Sequence, residues 1–484
     1  VRFGFCGAAP LSAPTWKDFE EVFGFPIYQG YGLTETTCWA VSIPITGPRN
    51  YETVGIPLDC ASIKIDTSDI GQMETFLFGK SLTDEDGNAL VAKGPVSGEV
   101  LIRGPIVSPG YYKNPKLNKE TMTKDEYFKT GDLGFFDNEG FLHITGRLKE
   151  IIIKNGANVF SKDIDRVLIK HEAVRECKTI GVPDELVGER IYSICVLNEG
   201  HSDAELAIKM WLQSQLSQPM WPDVVIAMGY LPSGAAGKIS TNILKKIVTG
   251  TLCEEIITSL NRVRYKRAQP SDPGGMSKLV QKALKTGTPL SFLAYWGCGT
   301  RDNFSEFDKQ TLDRLKEYVD GAKRVPQVPS ELTIIFTDTH ARNNKIPVER
   351  MTSYFAGIRN YAEKLGMKTI LLSEIWKEYG LTSETILNEV ATDAFKEKWE
   401  NDSLRQRLID QAAKHAEDNQ KPEDAAMRYY CTTAHEGVIV AKKYPHSIFT
   451  SYNHPDFDIV SPVLPKVYLS SYKDGTAVKP WFID

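Results

Sequence analysis

The stretch Tyr28-Gln-Gly-Tyr-Gly-Leu-Thr-Glu-Thr-Thr37 is the most informative part of this chain of 484 residues. It sets a Thr-Glu pair directly after an aromatic residue that stands between two glycines. Further along the chain come, in order, GEVLIRGP, KTGDLGFF, GRLKEIIIKNGANV and LPSGAAGKIS. One such string alone would be a weak signal, but their fixed order indicates a shared function.

Together these strings resemble the adenylate-forming superfamily, which includes acyl- and aryl-CoA synthetases, peptide-synthetase adenylation domains and luciferases. The resemblance covers roughly residues 1–265. It implies an α/β fold in which this chain forms the back half of such an enzyme: the end of the large domain, a distorted β-barrel and an α+β lid. We predict the following domains: the C-terminal part of the large adenylation domain at 1–146, a mobile lid at 147–265, a linker at 266–280 and an additional, separate α/β domain at 281–484.

The first string offers groups that an enzyme moving AMP from ATP onto a carboxylate needs. Glu35 is suited to ligate Mg²⁺, because this ion prefers hard carboxylate oxygens and keeps most of its waters. The hydroxyl of Thr34 can bond a phosphate oxygen. Tyr31 can lie flat against adenine, since the glycines beside it, including Gly32, let a ligand approach the backbone closely. Taken alone, Glu35 is more often a solvated turn carboxylate, and its string favours the metal.

Two further motif residues complete the expected nucleotide site. Asp132 in KTGDLG can accept both ribose hydroxyls, and Arg147 in TGRLKE can bind the ribose or phosphate edge. A surface salt bridge is the alternative role for Arg147. The resemblance implies that Lys149 is the hinge about which the lid swings, with lysine standing where aspartate is commoner. It also assigns the turn Gly7-Ala8-Ala9 to the other wall of the adenine slot.

The last string, Leu231–Ile239, presents Lys238 from a loop of small residues. An ammonium beside the reacting carboxylate and α-phosphate stabilises charge that grows in the transition state. The resemblance implies that this lysine serves adenylation more than the following thioester step. It also implies that Gly156 in KNGANV lines a tunnel for the pantetheine arm of coenzyme A.

One part of the family pattern has no counterpart in these residues. Family members carry upstream a Gly-rich loop ending in lysine, which wraps the β- and γ-phosphates, and most of the acyl pocket. Nothing here resembles that loop. We therefore expect this chain to be N-terminally truncated and, by itself, an incomplete ligase.

Composition sets limits on the class of protein. The net charge of −5 and the pI near 6.0 give no general field for nucleic acid or an anionic membrane. The sequence has no run of eighteen apolar residues and no signal-type start. Its eight cysteines show no CxxC spacing, and its eight histidines suggest no zinc-type cluster. These features predict a reduced, cytoplasmic protein without integral membrane association.

Beyond residue 280 the pattern changes to apolar runs of strand length that alternate with helical periodicity, which predicts a parallel α/β layer. Asp338, His340 and Arg342 follow the run Leu332–Thr337, and ligands of such sheets collect at the carboxyl ends of strands. If the chain stays extended there, Asp338 and His340 point the same way. They form a second-site candidate for acid–base chemistry, a metal or a phosphate. The alternative is that Asp338 and Asn343 cap the helix at Val348 and that His340 bonds to the backbone.

This C-terminal part resembles, in its arrangement, the isonitrile and dityrosine-precursor synthase family. The matching segments are FTDTHA, AHEGVIVAKKYPHSIFTSYNHP and KPWF. Thr339 and His340 stand where that family has Gly-Arg. The resemblance implies a role in secondary-metabolite biosynthesis.

The motifs predict an enzyme of the acid–thiol ligase class that activates a small carboxylic acid as an acyl-adenylate. Its cofactors would be ATP/AMP, Mg²⁺ and coenzyme A, with CoA or a carrier-protein thiol as the acceptor and no nucleic acid as a partner. Two alternatives stay open. One is an amino-acid adenylation domain of a peptide-synthetase-like enzyme, and the other is a truncated, non-catalytic remnant that acts as a binding module.

Overall fold

The computed structural model divides the chain into two compact units, Val1–Lys245 and Lys246–Asp484. The residues it describes are 1–8, 11, 13–67, 97–201, 204–234, 237–261, 266–268, 270–298, 303–343, 346–400, 402, 404–413, 421–451, 464–469, 471–473 and 476–478.

The first unit begins with a four-stranded sheet of order β1-β2-β3-β4. Its elements are β1 (Gly4–Cys6), α1 (Ala13–Phe23), β2 (Ile27–Tyr31), a 3-10 turn (Thr34–Thr36), β3 (Val41–Ser42) and β4 (Ile56–Pro57). β1 and β2 are parallel, so their carboxyl ends share one edge of the sheet. Trp16 of α1 is fully buried, and its indole donates to the carbonyl of Ile27 at 3.2 Å. The helix is thereby fixed against the sheet.

A second, antiparallel sheet of order β5-β6-β7-β8 follows. Its elements are β5 (Ser62–Asp66), β6 (Gly98–Arg103), α2 (Pro115–Thr121), β7 (Phe128–Phe136) and β8 (Leu142–Arg147). Val100, Leu101 and Ile102 of the central strand β6 are all buried. The described part of this region is therefore the strand-rich layer expected before the lid.

A third sheet contains β9 to β13 and carries its helices between the strands. Its elements are β9 (Ile151–Lys154), β10 (Ala157–Phe160), α3 (Ser161–Leu168), β11 (Val174–Asp184), β12 (Gly188–Leu197), α4 (Glu205–Gln215), a 3-10 turn (Gln218–Met220), β13 (Val224–Met228) and α5 (Thr241–Val248). Asn155 and Gly156 join β9 to β10, both with positive φ, 50° and 79°. Asn-Gly is the preferred pair for such a tight hairpin turn, because each residue tolerates this conformation.

The second unit is built on a six-stranded sheet of order β14-β19-β18-β15-β16-β17. Its strands are β14 (Lys266–Ala268), β15 (Leu290–Trp296), β16 (Ser330–Phe336), β17 (Lys368–Leu371), β18 (Ser447–Ser451) and β19 (Lys466–Leu469), with the small pair β20 (Ser471–Lys473) and β21 (Thr476–Val478). Its helices are α6 (Thr251–Leu260), α7 (Pro273–Thr286), α8 (Glu306–Asp320), α9 (Asp338–Asn343), α10 (Val348–Lys364), α11 (Leu372–Tyr379), α12 (Ser383–Val390), α13 (Asp393–Glu400), α14 (Arg405–Ala413) and α15 (Pro422–Lys443).

The sheet of the second unit is mostly parallel, in agreement with the predicted α/β layer. β15 pairs in parallel with both β16 and β18, whereas the edge strand β14 is antiparallel to β19. The chain runs from β15 outward to β17 and then returns to the other side of β15. The strand order thus reverses beside β15, which is where open α/β sheets form ligand crevices.

The structure differs from the predicted linker at 266–280 and from the predicted lid end at residue 265. The units divide between residues 245 and 246, and the range expected to be linker contains β14 and the first half of α7. In the range expected to be linker, the hydroxyl of Ser271 accepts the backbone amide of Lys466 at 3.0 Å, and at the predicted lid end Tyr318 donates to the carbonyl of Leu260 at 3.0 Å. Because these bonds are long-range in sequence, the polar and Pro/Gly-rich composition did not reveal that the segment packs within the second unit.

Candidate functional site

Asp132 forms the centre of the site in the first unit. Its side chain is buried; Oδ2 accepts a hydrogen bond from the Tyr31 hydroxyl at 2.7 Å, and Oδ1 forms an ion pair with Nε of Arg147 at 2.9 Å. Register explains the second contact, since Asp132 of β7 lies opposite Arg147 of β8. Burial and the adjacent Asp132 carboxylate raise the pKa of Tyr31, which therefore stays protonated and donates at neutral pH. Three predicted nucleotide residues are thus brought together.

Glu35 lies in the 3-10 turn after β2 and receives a hydrogen bond that the sequence did not predict. The hydroxyl of Tyr111 donates to Glu35 Oε1 at 2.6 Å. This bond, together with burial, raises the pKa of Tyr111 to about 12. Among the described residues nothing bonds to the second carboxylate oxygen of Glu35. The partners are 76 residues apart along the chain, and no pattern in the sequence indicated the pair.

The backbone around Tyr31 is close-packed against Trp39. A Cβ placed on Gly30 would come within 2.4 Å of the Trp39 ring, and one on Gly32 within 2.0 Å of the Cys38 carbonyl. The glycines are therefore required for packing as well as for access. Trp39 is a second residue of this region that sequence reasoning missed.

The end of β1 also approaches this place. A Cβ on Gly7 would meet the Gly30 carbonyl at 3.3 Å, so the turn after β1 lies beside the end of β2. Ala8 adopts a left-handed backbone, with φ of 69°. Ala9 lies outside the described residues. The predicted wall of the slot is thus adjacent to the Tyr31 segment as far as the described residues extend.

The other predicted residues of the first unit stand apart from this centre. Thr34 is exposed, Lys149 is exposed in a 3-10 turn (Leu148–Glu150) between β8 and β9, and Gly156 occupies the hairpin tip. Lys238 is exposed on its loop, and within the described ranges no contact joins it to Glu35 or Asp132. The structure therefore brings together Asp132, Tyr31 and Arg147, whereas Lys238 has no described contact with them.

Lys162 of α3 is a further charged group near the site. Its ammonium donates to the carbonyl of Ile144 in β8. Burial, together with the cations Arg166 and Lys178, lowers the pKa of Lys162 to about 8. A largely buried amine thus ties the helix of the third sheet to the strand that carries Arg147.

The second unit contains a buried carboxylate that the sequence did not single out. Glu436 of α15 is fully buried and accepts Thr339 at 3.0 Å, His340 at 2.6 Å and the indole of Trp376 at 2.9 Å. His340 also lies edge-on to the Tyr429 ring. Two of these donors follow β16, as expected for the edge of an α/β sheet.

The expectation of an extended Asp338–His340 segment is wrong, because α9 begins at Asp338. On a helix, residues two apart do not face the same way, and Asp338 pairs instead with Arg342, whose Nη2 lies 3.3 Å from Oδ2. As a cap for the helix at Val348, Asp338 is wrong too, since its Oδ1 accepts the backbone amide of Ser373 in α11 at 3.0 Å; the side chain of Asn343 lies outside the described residues. Asp338 Oδ2 is buried, and Arg342 reaches it without hydrogen-bonding geometry.

Comparisons with known proteins agree with the motifs of the first unit. Residues 1–112 match the family model described as AMP-binding enzyme, and residues 163–238 match the AMP-binding enzyme C-terminal domain. The oxalate–CoA ligase of Arabidopsis thaliana is 34% identical over 246 residues, covering 50% of this chain and 44% of the relative. The sulfoacetate–CoA ligase of Cupriavidus necator is 32% identical over 240 residues, covering 49% and 43%.

The chain thus spans less than half the length of these curated relatives. Among solved structures, ATP-bound MatB from Rhodopseudomonas palustris is 30% identical, covers 50% of this chain and 44% of its own, and gives a TM-score of 0.43. MenE from Bacillus subtilis with ATP and magnesium is 27% identical, covers 50% and 46%, and gives 0.39. In the part of the chain that the structure describes, no helix is long and apolar enough to cross a membrane.

Proposed function

Since the first unit belongs to the adenylate-forming enzyme superfamily, we propose that it serves in ATP-dependent activation of a carboxylic acid as an acyl-adenylate, followed by thioester formation with coenzyme A. The observation that carries this proposal is the buried carboxylate of Asp132 between Tyr31 and Arg147. The names of the relatives, which are CoA ligases, support the choice of acceptor.

Asp132 binds the ribose of ATP and AMP in this proposal. A carboxylate has about four lone-pair positions, so the bonds from Tyr31 and Arg147 leave room for two ribose hydroxyls. Arg147 is 52% exposed, and its outer nitrogens have no partner among the described residues, which leaves them for a phosphate. Tyr31 and Gly32, with the Gly7-Ala8-Ala9 turn opposite, form the proposed adenine slot.

Glu35 is the proposed ligand of Mg²⁺, and the residues present fit that ion. A half-buried carboxylate with one oxygen held by Tyr111 and the other unbonded is a hard, oriented donor, which suits an ion that keeps most of its waters. Bound Mg²⁺ would neutralise phosphate charge. Tyr111 keeps Glu35 oriented, and the exposed Thr34 hydroxyl is placed to bond a phosphate oxygen.

Lys238 and the hinge supply the remaining roles. An exposed lysine on a loop is able to reach the reacting carboxylate only if the third sheet turns toward the Asp132 site, and we place that movement at Lys149 in its 3-10 turn. Such element-terminal positions absorb large torsion changes. Gly156, at the tip of a hairpin with no atom within 4 Å of a Cβ position, is accessible for the pantetheine arm of coenzyme A.

Nucleotide binding by the chain is the first test. We expect AMP to bind. Asp132→Asn should raise the dissociation constant for AMP about 10- to 100-fold, because a charged hydrogen-bond acceptor contributes about 1.5–3 kcal/mol. Asp137→Asn is the matched control, since this carboxylate lies just after β7 and pairs with His143 instead. Equal AMP affinity in both variants contradicts the ribose role, and no binding by the unaltered chain favours the non-catalytic remnant.

The acceptor is tested in the protein encoded by the complete reading frame that contains these residues. Exchange of pyrophosphate into ATP that depends on a carboxylic acid, followed by a CoA thioester seen by mass spectrometry, is the expected result. Exchange with amino acids but no CoA thioester favours the peptide-synthetase-like adenylation domain. Absence of exchange with fatty, aryl and amino acids contradicts the adenylation proposal.

For the second unit we infer a separate small-molecule site at the end of β16. The supporting observation is Asp338 Oδ2, a buried acceptor without a hydrogen-bond donor among the described residues. An ammonium or hydroxyl group would satisfy it, while the 59% exposed Arg342 would hold a carboxylate. An amino acid offers both groups, which fits the secondary-metabolite setting implied by the isonitrile-synthase resemblance.

Its test uses the full chain, with the common L-amino acids and inorganic phosphate as probes in ligand-observed NMR. Asp338→Asn should abolish amino-acid binding while keeping the acceptor for Ser373. Asp393→Asn, at an exposed residue of the same unit, should leave binding unchanged. If no probe binds the unaltered chain, or if Asp338→Asn binds equally well, the segment is structural.

A further inference from the structure

A mixed group of metal-ligand side chains lies between α12 and α15, apart from the Asp338 segment. The ligand atoms of Glu389, Cys431 and His435 all lie within 4.8 Å of one another. The sequence suggested no zinc-type cluster, because a motif search looks for close ligands and Glu389 is 46 residues from His435. Only the packing of the two helices brings the third ligand into place.

The helix geometry explains why the group converges. Cys431 and His435 are four residues apart on α15 and therefore lie on the same face. Glu389 is near the end of α12, and its Oε2 is 2.5 Å from Nε2 of His435. Cys431 is buried below this pair, whereas the side chains of His435 and Glu389 are 33% and 44% exposed. One side of the cluster is thus closed by protein and the other faces solvent.

The donor set selects a class of cation. Thiolate, imidazole and carboxylate together suit Zn²⁺ and similar first-row metals, whereas Mg²⁺ and Ca²⁺ take oxygen ligands. A deprotonated Cys431 and Glu389 carry two negative charges, which balance a divalent ion. Tetrahedral zinc needs ligand atoms about 3.3–3.8 Å apart, so the atoms of this group must move by only about an ångström.

We propose that Glu389, Cys431 and His435 bind one zinc-type divalent ion that joins α12 to α15. Three protein ligands leave the fourth tetrahedral position on the solvent side, where a water or a further ligand completes the shell. His435 is next to Glu436 in α15, so the ion would also fix the helix that holds Thr339, His340 and Trp376. The alternative is a simple His–Glu ion pair above a packed thiol.

Cobalt distinguishes these two interpretations in the full chain. After chelation, we expect one Co²⁺ to bind per chain with a thiolate-to-cobalt charge-transfer band and tetrahedral visible bands, and Zn²⁺ to displace it. Cys431→Ala should remove the charge-transfer band. His435→Gln and Glu389→Gln should weaken Co²⁺ binding at least about 10-fold, a loss comparable to that of altering a metal site's supporting residues.

Cys253→Ala and His446→Gln are matched controls. Cys253 is a buried cysteine of the same unit and His446 an exposed histidine bonded to Lys282, and neither belongs to the cluster. Both should keep the band and the affinity. Glu389→Gln alters a partly exposed side chain, so its effect is measurable even if Cys431→Ala folds poorly. No thiolate band in the unaltered protein, or a band that persists without Cys431, overturns the proposal.

Discussion

The two polar centres of this chain differ in how completely their carboxylates are paired. Asp132 in the first unit has two described partners, one of which, Arg147, is half exposed. Glu436 in the second unit has no exposed surface and is held by donors from α9 and α11. A carboxylate with spare lone pairs beside a half-exposed cation is available to a ligand. One that is buried and saturated belongs to the fold, because its loss strands several donors.

The same contrast separates Asp338 from its neighbour Glu436. Both are fully buried, but Asp338 keeps one oxygen without a hydrogen-bond donor among the described residues, whereas Glu436 uses both oxygens. A ligand is therefore more readily placed at Asp338 than at Glu436. Glu436 instead holds His340 and Trp376 in place by accepting their hydrogen bonds.

The largest expected effect comes from removing the saturated carboxylate. Glu436→Ala should destabilise the second unit by about 3–5 kcal/mol, because three donors lose their acceptor and one of them can carry a charge. The measurement is urea-induced unfolding of the full chain followed by circular dichroism. Glu384→Gln, at an exposed position of α12, should shift the free energy of unfolding by less than about 0.5 kcal/mol.

If Glu436→Ala costs no more than its control, then the contrast between the two centres is wrong. In that case the Glu436 carboxylate contributes nothing net to stability, as some buried ionic groups do when their desolvation cost is large.

A smaller, pH-dependent effect is expected at Lys162 in the first unit. Its folded-state pKa of about 8 lies below the ordinary 10.5, so the unfolded chain binds the proton more tightly. The cost of burying the charged amine is fully present below about pH 8, and stability should rise as the pH increases from about 8 toward 10.5. Lys162→Met should remove a rise of about 1–3 kcal/mol, because each pKa unit is worth 1.36 kcal/mol.

The measurement compares the free energy of unfolding of both proteins at several values between about pH 7 and 10.5. Lys170→Met is the control, since that lysine is exposed just beyond α3. If the free energies of unfolding of the unaltered protein and Lys162→Met change in parallel with pH, the amine is solvated. Lys162 would then not be a buried charged group beside the first site.

The sequence predicted the second unit less completely than the first. Runs of apolar residues correctly indicated β15, since strand length and composition are local properties. The prediction of an extended backbone after β16 was wrong, because an Asp-Thr-His-Ala-Arg segment is compatible with either an extended or a helical backbone. The helix was decided by contacts to α11 and α15, 35 to 97 residues away along the chain.

For the candidate site of the first unit, the motifs predicted that Asp132, Arg147 and Tyr31 belong to one site, and the structure brings these three side chains into contact. Tyr111 and Lys162 were missed. Tyr111 bonds to Glu35, 76 residues away, and Lys162 bonds to Ile144, 18 residues away. A lone tyrosine or lysine in a sequence does not indicate such a partner.

The sequence by itself indicated the likeness of the first unit to adenylate-forming enzymes, the α/β class of the second and the Asn155-Gly156 hairpin turn. These three features depend on residue order, on the periodicity of apolar residues and on local backbone preference, which are properties of the sequence itself. Only the tertiary structure decided that residues 246–261 belong to the second unit, that Glu436 is saturated, and that Glu389 meets Cys431 and His435. Hydrogen bonds and ligand geometry act over a few ångströms in space, and the fold brings together groups that sequence separation keeps apart.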